Sequence, residues 1–368
     1  MMRLLLALAL TVVGCGGASP VAPGVQGGAG TEGGAGTGGT ELLDGKAAGS
    51  PDHSSDLADA VAEPAPPFQA GNDAAAATDG STEDASSADS RPADGSSPAG
   101  PQPPGYPAGS APRLEQKSMV GPLSKQTIGF NVYLPPGYDS GTLRYPTVYD
   151  LHGLTDNQSA DSKWVIPSLE SAMKQKLIGP VIVVFPDGLV ESYYADSADG
   201  KKPSETRIIR DLIPYVDGAY RTIASPQERV VTGFSMGGYG AMELATKFPD
   251  IFGAGVAYDA ALDTWQTLTA RRAHIAQAMF GNSATYFDKY SPWANTTANV
   301  ATLRASSKLR LVPGNQYRNF DAAFRDHLTG LAIPLSYVET TCAHDYGCLL
   351  TNQGAQSWTF IQAALNRM

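Results

Sequence analysis

The sequence predicts an α/β fold in residues 113–368, with a mostly parallel sheet and helices on both of its faces. Three observations carry that reading. From about residue 113, extended and helical patterns alternate along the chain. Extended stretches such as VIVVF at 181–185 are nearly continuous apolar runs, as strands buried on both faces are. A glycine-flanked serine at 233–237 stands between one such run and a helical pattern, the order in which parallel strands are connected.

Extended stretches at 128–134 and 147–151, rich in β-branched and aromatic residues, precede an amphipathic helical pattern at 162–176. The VIVVF run follows, then a helical pattern at 205–220 and the apolar strand closing at 234. Past the serine come a helix at 237–247 and a strand at 253–258. After a long interval without an assigned element there is a strand at 309–312. A helix at 320–328, a strand at 335–339 and a closing helix at 355–365 complete a domain of about 255 residues, the size of one α/β unit.

Residues 1–112 do not belong to that domain. MMRLLLALALTVVGC carries one arginine and an apolar run from Leu4 to Val13 that is too short for a permanent span, and it reads as an export signal. Cys15 ends the run in a setting similar to a bacterial lipobox. The chain is therefore expected to be acylated at Cys15 and lipid-anchored to a bacterial membrane, at the outer membrane or cell surface. Residues 16–112 are rich in Gly, Ala, Ser, Pro and Asp, with Phe68 and Tyr106 as their only aromatics, and are expected to form a disordered tether with a reach of roughly 55 Å. The chain's net negative charge comes from that tether, and the neutral domain has no basic stripe for nucleic acid. With Cys15 lipidated, Cys342 and Cys348 remain as a pair, expected to be disulfide-bonded outside the cell. The sequence holds no H-E-x-x-H or comparable ligand set, so neither a metal nor another cofactor is expected.

Gly233-Phe234-Ser235-Met236-Gly237 fits G-x-S-x-G, and its strand-before, helix-after context is that of the nucleophile elbow of an α/β-hydrolase. Glycines there let the backbone turn sharply, leaving the Ser235 hydroxyl beside a helix N-terminus. A hydroxyl at neutral pH needs a base. Of five histidines, His53 lies in the tether, His152 suits a role in shaping a loop, and His274 and His327 fall in helical patterns. His344 follows the last strand, matching the chain order of nucleophile, acid and histidine in this fold. An oxyanion needs two amide donors: Met236, after the serine, and Leu154, in the His152-Gly153-Leu154 loop.

YLPPGY at 133–138, the LHG turn at 151–153, VVFPDG at 184–189, LIPYVDGAYRT at 212–222, GFSMGGYGAMELATKFPDIFGAGVAY at 233–258 and the His344-Asp345 pair resemble the esterase D group. That group includes feruloyl and acetyl-xylan esterases, S-formylglutathione hydrolases and antigen 85-type mycolyltransferases. The resemblance implies a serine esterase acting on a carboxylic ester, such as a feruloyl or acetyl ester of a polysaccharide, through an acyl-enzyme. An envelope acyltransferase and a non-catalytic surface binding module are the alternatives. The chain departs from the group where an acid is expected, because Tyr317 ends the Gly314-Asn315-Gln316-Tyr317 stretch. Asp259, directly after the 253–258 strand, is the leading substitute, with Asp321 as the alternative. Trp164, Tyr193, Tyr194 and Trp265 are candidates to line a pocket for an aromatic acyl group, with core packing as their competing role.

Overall fold

The computed structural model describes residues 109–365. The expected signal peptide, Cys15 and residues 16–108 of the expected tether lie outside them. Eight strands form one sheet: β1 (Arg113–Val120), β2 (Thr127–Leu134), β3 (Thr147–Leu151), β4 (Ile182–Pro186), β5 (Arg229–Phe234), β6 (Ala254–Tyr258), β7 (Lys308–Val312) and β8 (Leu335–Tyr337). Their order is β1-β2-β4-β3-β5-β6-β7-β8. β1, β2 and β4 pair antiparallel, and every pairing from β4 through β8 is parallel.

Helix α1 (Ser162–Lys174) precedes β4, and after it a continuous helical stretch comprises α2 (Ser204–Thr206), a π-helical turn (Arg207–Leu212) and α3 (Ile213–Ala219). α4 (Met236–Lys247) follows β5. Five short helices then separate β6 from β7: α5 (Trp265–Arg271), α6 (Ala273–Phe280), α7 (Ala284–Asp288), α8 (Pro292–Ala298) and α9 (Val300–Ser306). α10 (Arg318–Gly330) precedes β8, and α11 (Tyr346–Ala364) ends the domain.

Adjacent residues in the central strands face opposite sides of the sheet. Val148, Val183 and Val230 pack under α1 and α11 with Leu169, Met173, Leu349 and Trp358. Tyr149, Val184 and Val231 join the opposite core with Leu212, Val216, Leu244 and Phe280. No described helix is long and apolar enough to cross a membrane.

Four readings of the sequence need correction. β1 was given no strand; it is an edge strand with mostly exposed side chains, so its alternation carries little hydrophobic signal. The interval from 265 to 306 is helical, in pieces too short for a clear period. The helix expected over 205–220 contains a π turn, which brings Arg207 and Asp211 both inward. Asp211 then accepts from the amides of Leu123 and Ser124 (2.8 and 2.9 Å). The last helix starts at Tyr346 rather than 355, capped by the Asp345 carboxylate on the Cys348 amide (2.6 Å). Gly347 and Gly354 weaken its local helical signal.

Two glycines in helices give opposite expectations. A Cβ at Gly237 would lie 1.8 Å from the Leu151 carbonyl oxygen, whereas one at Gly218 meets nothing within 4 Å. Gly237→Ala should lower the thermal midpoint by roughly 5–10 °C, given an overpacking cost of about 1–3 kcal/mol in a domain of this size. Gly218→Ala should leave the midpoint unchanged or raise it slightly, by up to about 1 kcal/mol of helix propensity. Calorimetry of the two variants checks the pair, and equal midpoints would contradict this packing of the turn.

Candidate active site

The sheet register brings the site together. Phe234 pairs with Tyr258 across β5 and β6, and Tyr258 pairs with Val312 across β6 and β7. The residues that follow, Ser235 and Asp259, therefore leave the carboxyl edge of the sheet side by side. Ser235 sits at φ 60°, ψ −117°, a conformation rare for a residue with a side chain. Its amide donates to the Tyr258 carbonyl (3.1 Å), and its carbonyl accepts from the Ala261 and Tyr239 amides (3.0 and 3.1 Å). These bonds offset the strain of the turn and tie it to the segment beginning at Asp259.

His344 lies between the two. Its Nε2 is 2.9 Å from Ser235 Oγ and its Nδ1 is 2.6 Å from Asp259 Oδ2. A carboxylate can only accept, so Nδ1 carries the proton and Nε2 presents its lone pair to the serine hydroxyl. The imidazole rests on the Phe234 ring (centroids 4.4 Å apart), with the Tyr317 ring edge-on to it at 5.1 Å. Asp259 is wholly buried at φ 38°, and its amide is held by the Val312 carbonyl (2.9 Å). Its Oδ1 accepts from the amides of Gly314 and Tyr317 (3.0 and 2.9 Å). The stretch that lacks an acid of its own thus supplies two donors to the acid of the neighbouring strand. Asp321, the alternative, is also buried, but its Oδ2 accepts from the Ala260 amide (3.2 Å). Burial and the nearby Asp259 push its carboxyl well above the usual range, favouring its neutral form.

Three carbonyls fix the loop after β3. Tyr194 Oη donates to the His152 carbonyl (2.9 Å), His152 Nδ1 to that of Gly153 (2.8 Å), and the Glu191 amide to that of Leu154 (2.8 Å). In a trans peptide the N–H points opposite to the C=O, so the Leu154 amide is turned away from His152. Neither that amide nor that of Met236, at the first position of α4, has a backbone acceptor among the described residues. His152 Nε2 accepts from the Gly188 amide (3.0 Å), and burial lowers the affinity of the ring for a second proton. The imidazole therefore acts as a neutral strut joining two loops.

The aromatic pocket candidates do not converge. Tyr193 and Tyr194 are fully buried; Tyr193 Oη donates to Asp263 (2.8 Å), and the Tyr194 ring fills the space beside Gly188 and Gly240. Trp265 packs on Phe287, and Trp164 stands exposed on α1. His274 is exposed near Glu191, and His327 contacts Thr296. The Cys342–Cys348 disulfide is present and closes a ring around His344. The sequence reading passed over Phe234 and the paired amides of Gly314 and Tyr317. Their position beside the serine and at the family's acid stretch was the available signal.

Residues 123–329 match the Esterase family model. Esterase Rv1288 of Mycobacterium tuberculosis is 33% identical over 123 residues, which is 33% of this chain and 26% of that protein. The endo-1,4-beta-xylanase/feruloyl esterase of Xylanibacter ruminicola is 32% identical over 135 residues, 33% of this chain and 18% of that protein. The chain spans about a quarter or less of the length of these curated relatives. Among solved structures, a ferulic acid esterase superposes with a TM-score of 0.61 at 18% identity, covering 70% of this chain and 100% of that one, a likeness of fold.

A second buried acidic group lies beneath the site. Phe234 stacks on Tyr346, whose hydroxyl donates to Asp150 (2.8 Å). Asp161, at the start of α1, is pushed up to about 8 by burial and by the charges of Asp150 and Asp156. In the unfolded chain this carboxyl ionises near pH 4, while the folded protein holds the proton until about pH 8. Its contribution to stability is thus full below pH 4 and is lost as pH rises through that window. Asp161→Asn, neutral throughout, should match wild type in thermal midpoint at pH 4 and exceed it by several degrees at pH 8. Melting curves across that range check the sign, and a pH-independent difference would contradict it.

Proposed function

Because the chain belongs to the Esterase family, matched over residues 123–329, we propose that it is a carboxylic ester hydrolase working through an acyl-enzyme on Ser235. The observation that carries the reading is the unbroken hydrogen-bonded line from Ser235 Oγ through His344 to Asp259 (2.9 and 2.6 Å), at a strained strand–helix turn. Ser235 Oγ bonds to the ester carbonyl carbon as its proton passes to His344 Nε2. The carbonyl π electrons move to oxygen, and the amides of Met236 and Leu154 stabilise that oxyanion. Collapse breaks the bond to the alcohol oxygen, which takes the proton from His344. Water then repeats the sequence, releasing the acid and regenerating Ser235. Asp259 holds the ring in the required tautomer and stabilises the imidazolium.

The substrate class we propose is a feruloyl or acetyl ester of a polysaccharide, supported by similarity to the endo-1,4-beta-xylanase/feruloyl esterase of Xylanibacter ruminicola. Outside the described residues, we propose export and acylation at Cys15, with 16–112 as a spacer from the membrane. The apolar run before Cys15 supports this, as does a disulfide of the kind that persists outside the reducing cytosol. The pairing of Asp259 with His344 puts a carboxylate beside the imidazole, which supports a catalytic reading over a non-catalytic binding module.

Ser235→Ala should lower turnover of simple acyl esters by about 10⁴-fold or more with the thermal midpoint retained. A fluorophosphonate probe should label wild type and leave the variant unlabelled. A variant that keeps more than about a tenth of wild-type turnover would end the assignment of Ser235.

A further inference from the structure

Resting on that reading of the Ser235 site, we propose that the groove between α1 and α11 binds the neutral carbohydrate part of the substrate, with Trp164 as its stacking platform. The groove has a volume of about 690 Å³, and Asp345, the residue after His344, lines it. The groove thus opens beside the segment that carries His344. Trp164 also lines the groove and is 44% exposed, a high value for a tryptophan.

The indole is seated by design of the backbone beneath it. A Cβ at Gly347 would lie 3.0 Å from two atoms of its six-membered ring, so glycine there lets the ring settle on the first turn of α11, and a larger residue would push it outward by a few tenths of an ångström. Ser168 Oγ accepts from the Trp358 indole (3.0 Å) and Ser171 Oγ accepts from Gln175 (3.0 Å). Each hydroxyl proton is thereby left to donate elsewhere.

The charges of Lys163 and Asp345 balance across the lining. A polyanionic chain would find no cluster of cations, and an aliphatic chain would strand the hydroxyls of Ser168 and Ser171 without partners. A sugar chain suits both features: the C–H face of a ring lies on the indole while its hydroxyls meet the polar rim. The volume falls within the ~300–1,000 Å³ of small-ligand sites.

The test is affinity electrophoresis of the full chain carrying Ser235→Ala, run through gels containing soluble xylan, mixed-linkage β-glucan or dextran. Binding is then read without catalysis, so failure of the hydrolase assignment and failure of the groove appear in different assays. At least one polysaccharide should retard the protein. Trp164→Ala should weaken that interaction about tenfold, the scale of one lost aromatic contact of roughly 1.4 kcal/mol. Trp164→Phe should recover part of it, and Gly347→Ala, which displaces the indole without removing it, should weaken it too. The thermal midpoints of the variants establish that they are folded. Absence of retardation in all three gels, or equal retardation of wild-type and Trp164→Ala backgrounds, would overturn the proposal.

Discussion

The rest of the site depends on how a carboxylate with no access to water is satisfied. Asp259 is wholly buried, and each of its oxygens must find protein donors. Oδ1 takes the amides of Gly314 and Tyr317, and Oδ2 takes His344 Nδ1. Those three bonds draw together the end of β6, the loop after β7 and the loop before α11. None of these segments is adjacent in sequence, so the acid organises the site as well as completing it. Gly314 is required by the same contact, since a Cβ there would lie 2.9 Å from the Asp259 carboxyl carbon.

Charge around this centre is divided between neighbours. Asp321 shares the buried region, where desolvation favours its neutral form, and its Oδ2 accepts from the Ala260 amide while the Asp259 carboxylate accepts from His344. On the other side, Phe234 stands between His344 and Tyr346, and Tyr346 shares Asp150 with Thr232 (2.8 and 2.5 Å). The disulfide limits the loop carrying His344 from the same side. In the proposed mechanism the imidazole alternates between neutral and charged forms without moving far, and an aromatic wall with a ring-closed loop suits that task.

Much of this was legible in the sequence because the signals were local. The strand at 181–185 declared itself by a continuous apolar run, those at 147–151 and 230–234 by their β-branched and aromatic residues, and Ser235 by the glycines that its turn requires. His344 followed from chain order. Asp259 was legible only as a position at the correct edge of the sheet, since its partner amides lie some 55 residues away, in a stretch whose spacing pointed to Tyr317. What depended on long-range packing was hidden: the polar edge strand β1, the short helices between Trp265 and Ser306, and the burial of Tyr194 against two glycines. Trp164, read from its residue type as part of an acyl pocket, stands half-exposed on α1 against the first turn of α11, because the helix pattern alone does not say which neighbour a side chain meets.

The central claim is that the carboxylate partner of His344 stands at the end of β6 rather than in the loop after β7. The most direct measurement is turnover of one ester at saturating concentration by Asp259→Asn and Asp321→Asn, both shown to be folded by their thermal midpoints. The account predicts that Asp259→Asn falls by up to about 10⁴-fold, through loss of the productive His344 tautomer, while Asp321→Asn stays near wild type. Near-normal turnover of Asp259→Asn, with the loss appearing in Asp321→Asn instead, would contradict it.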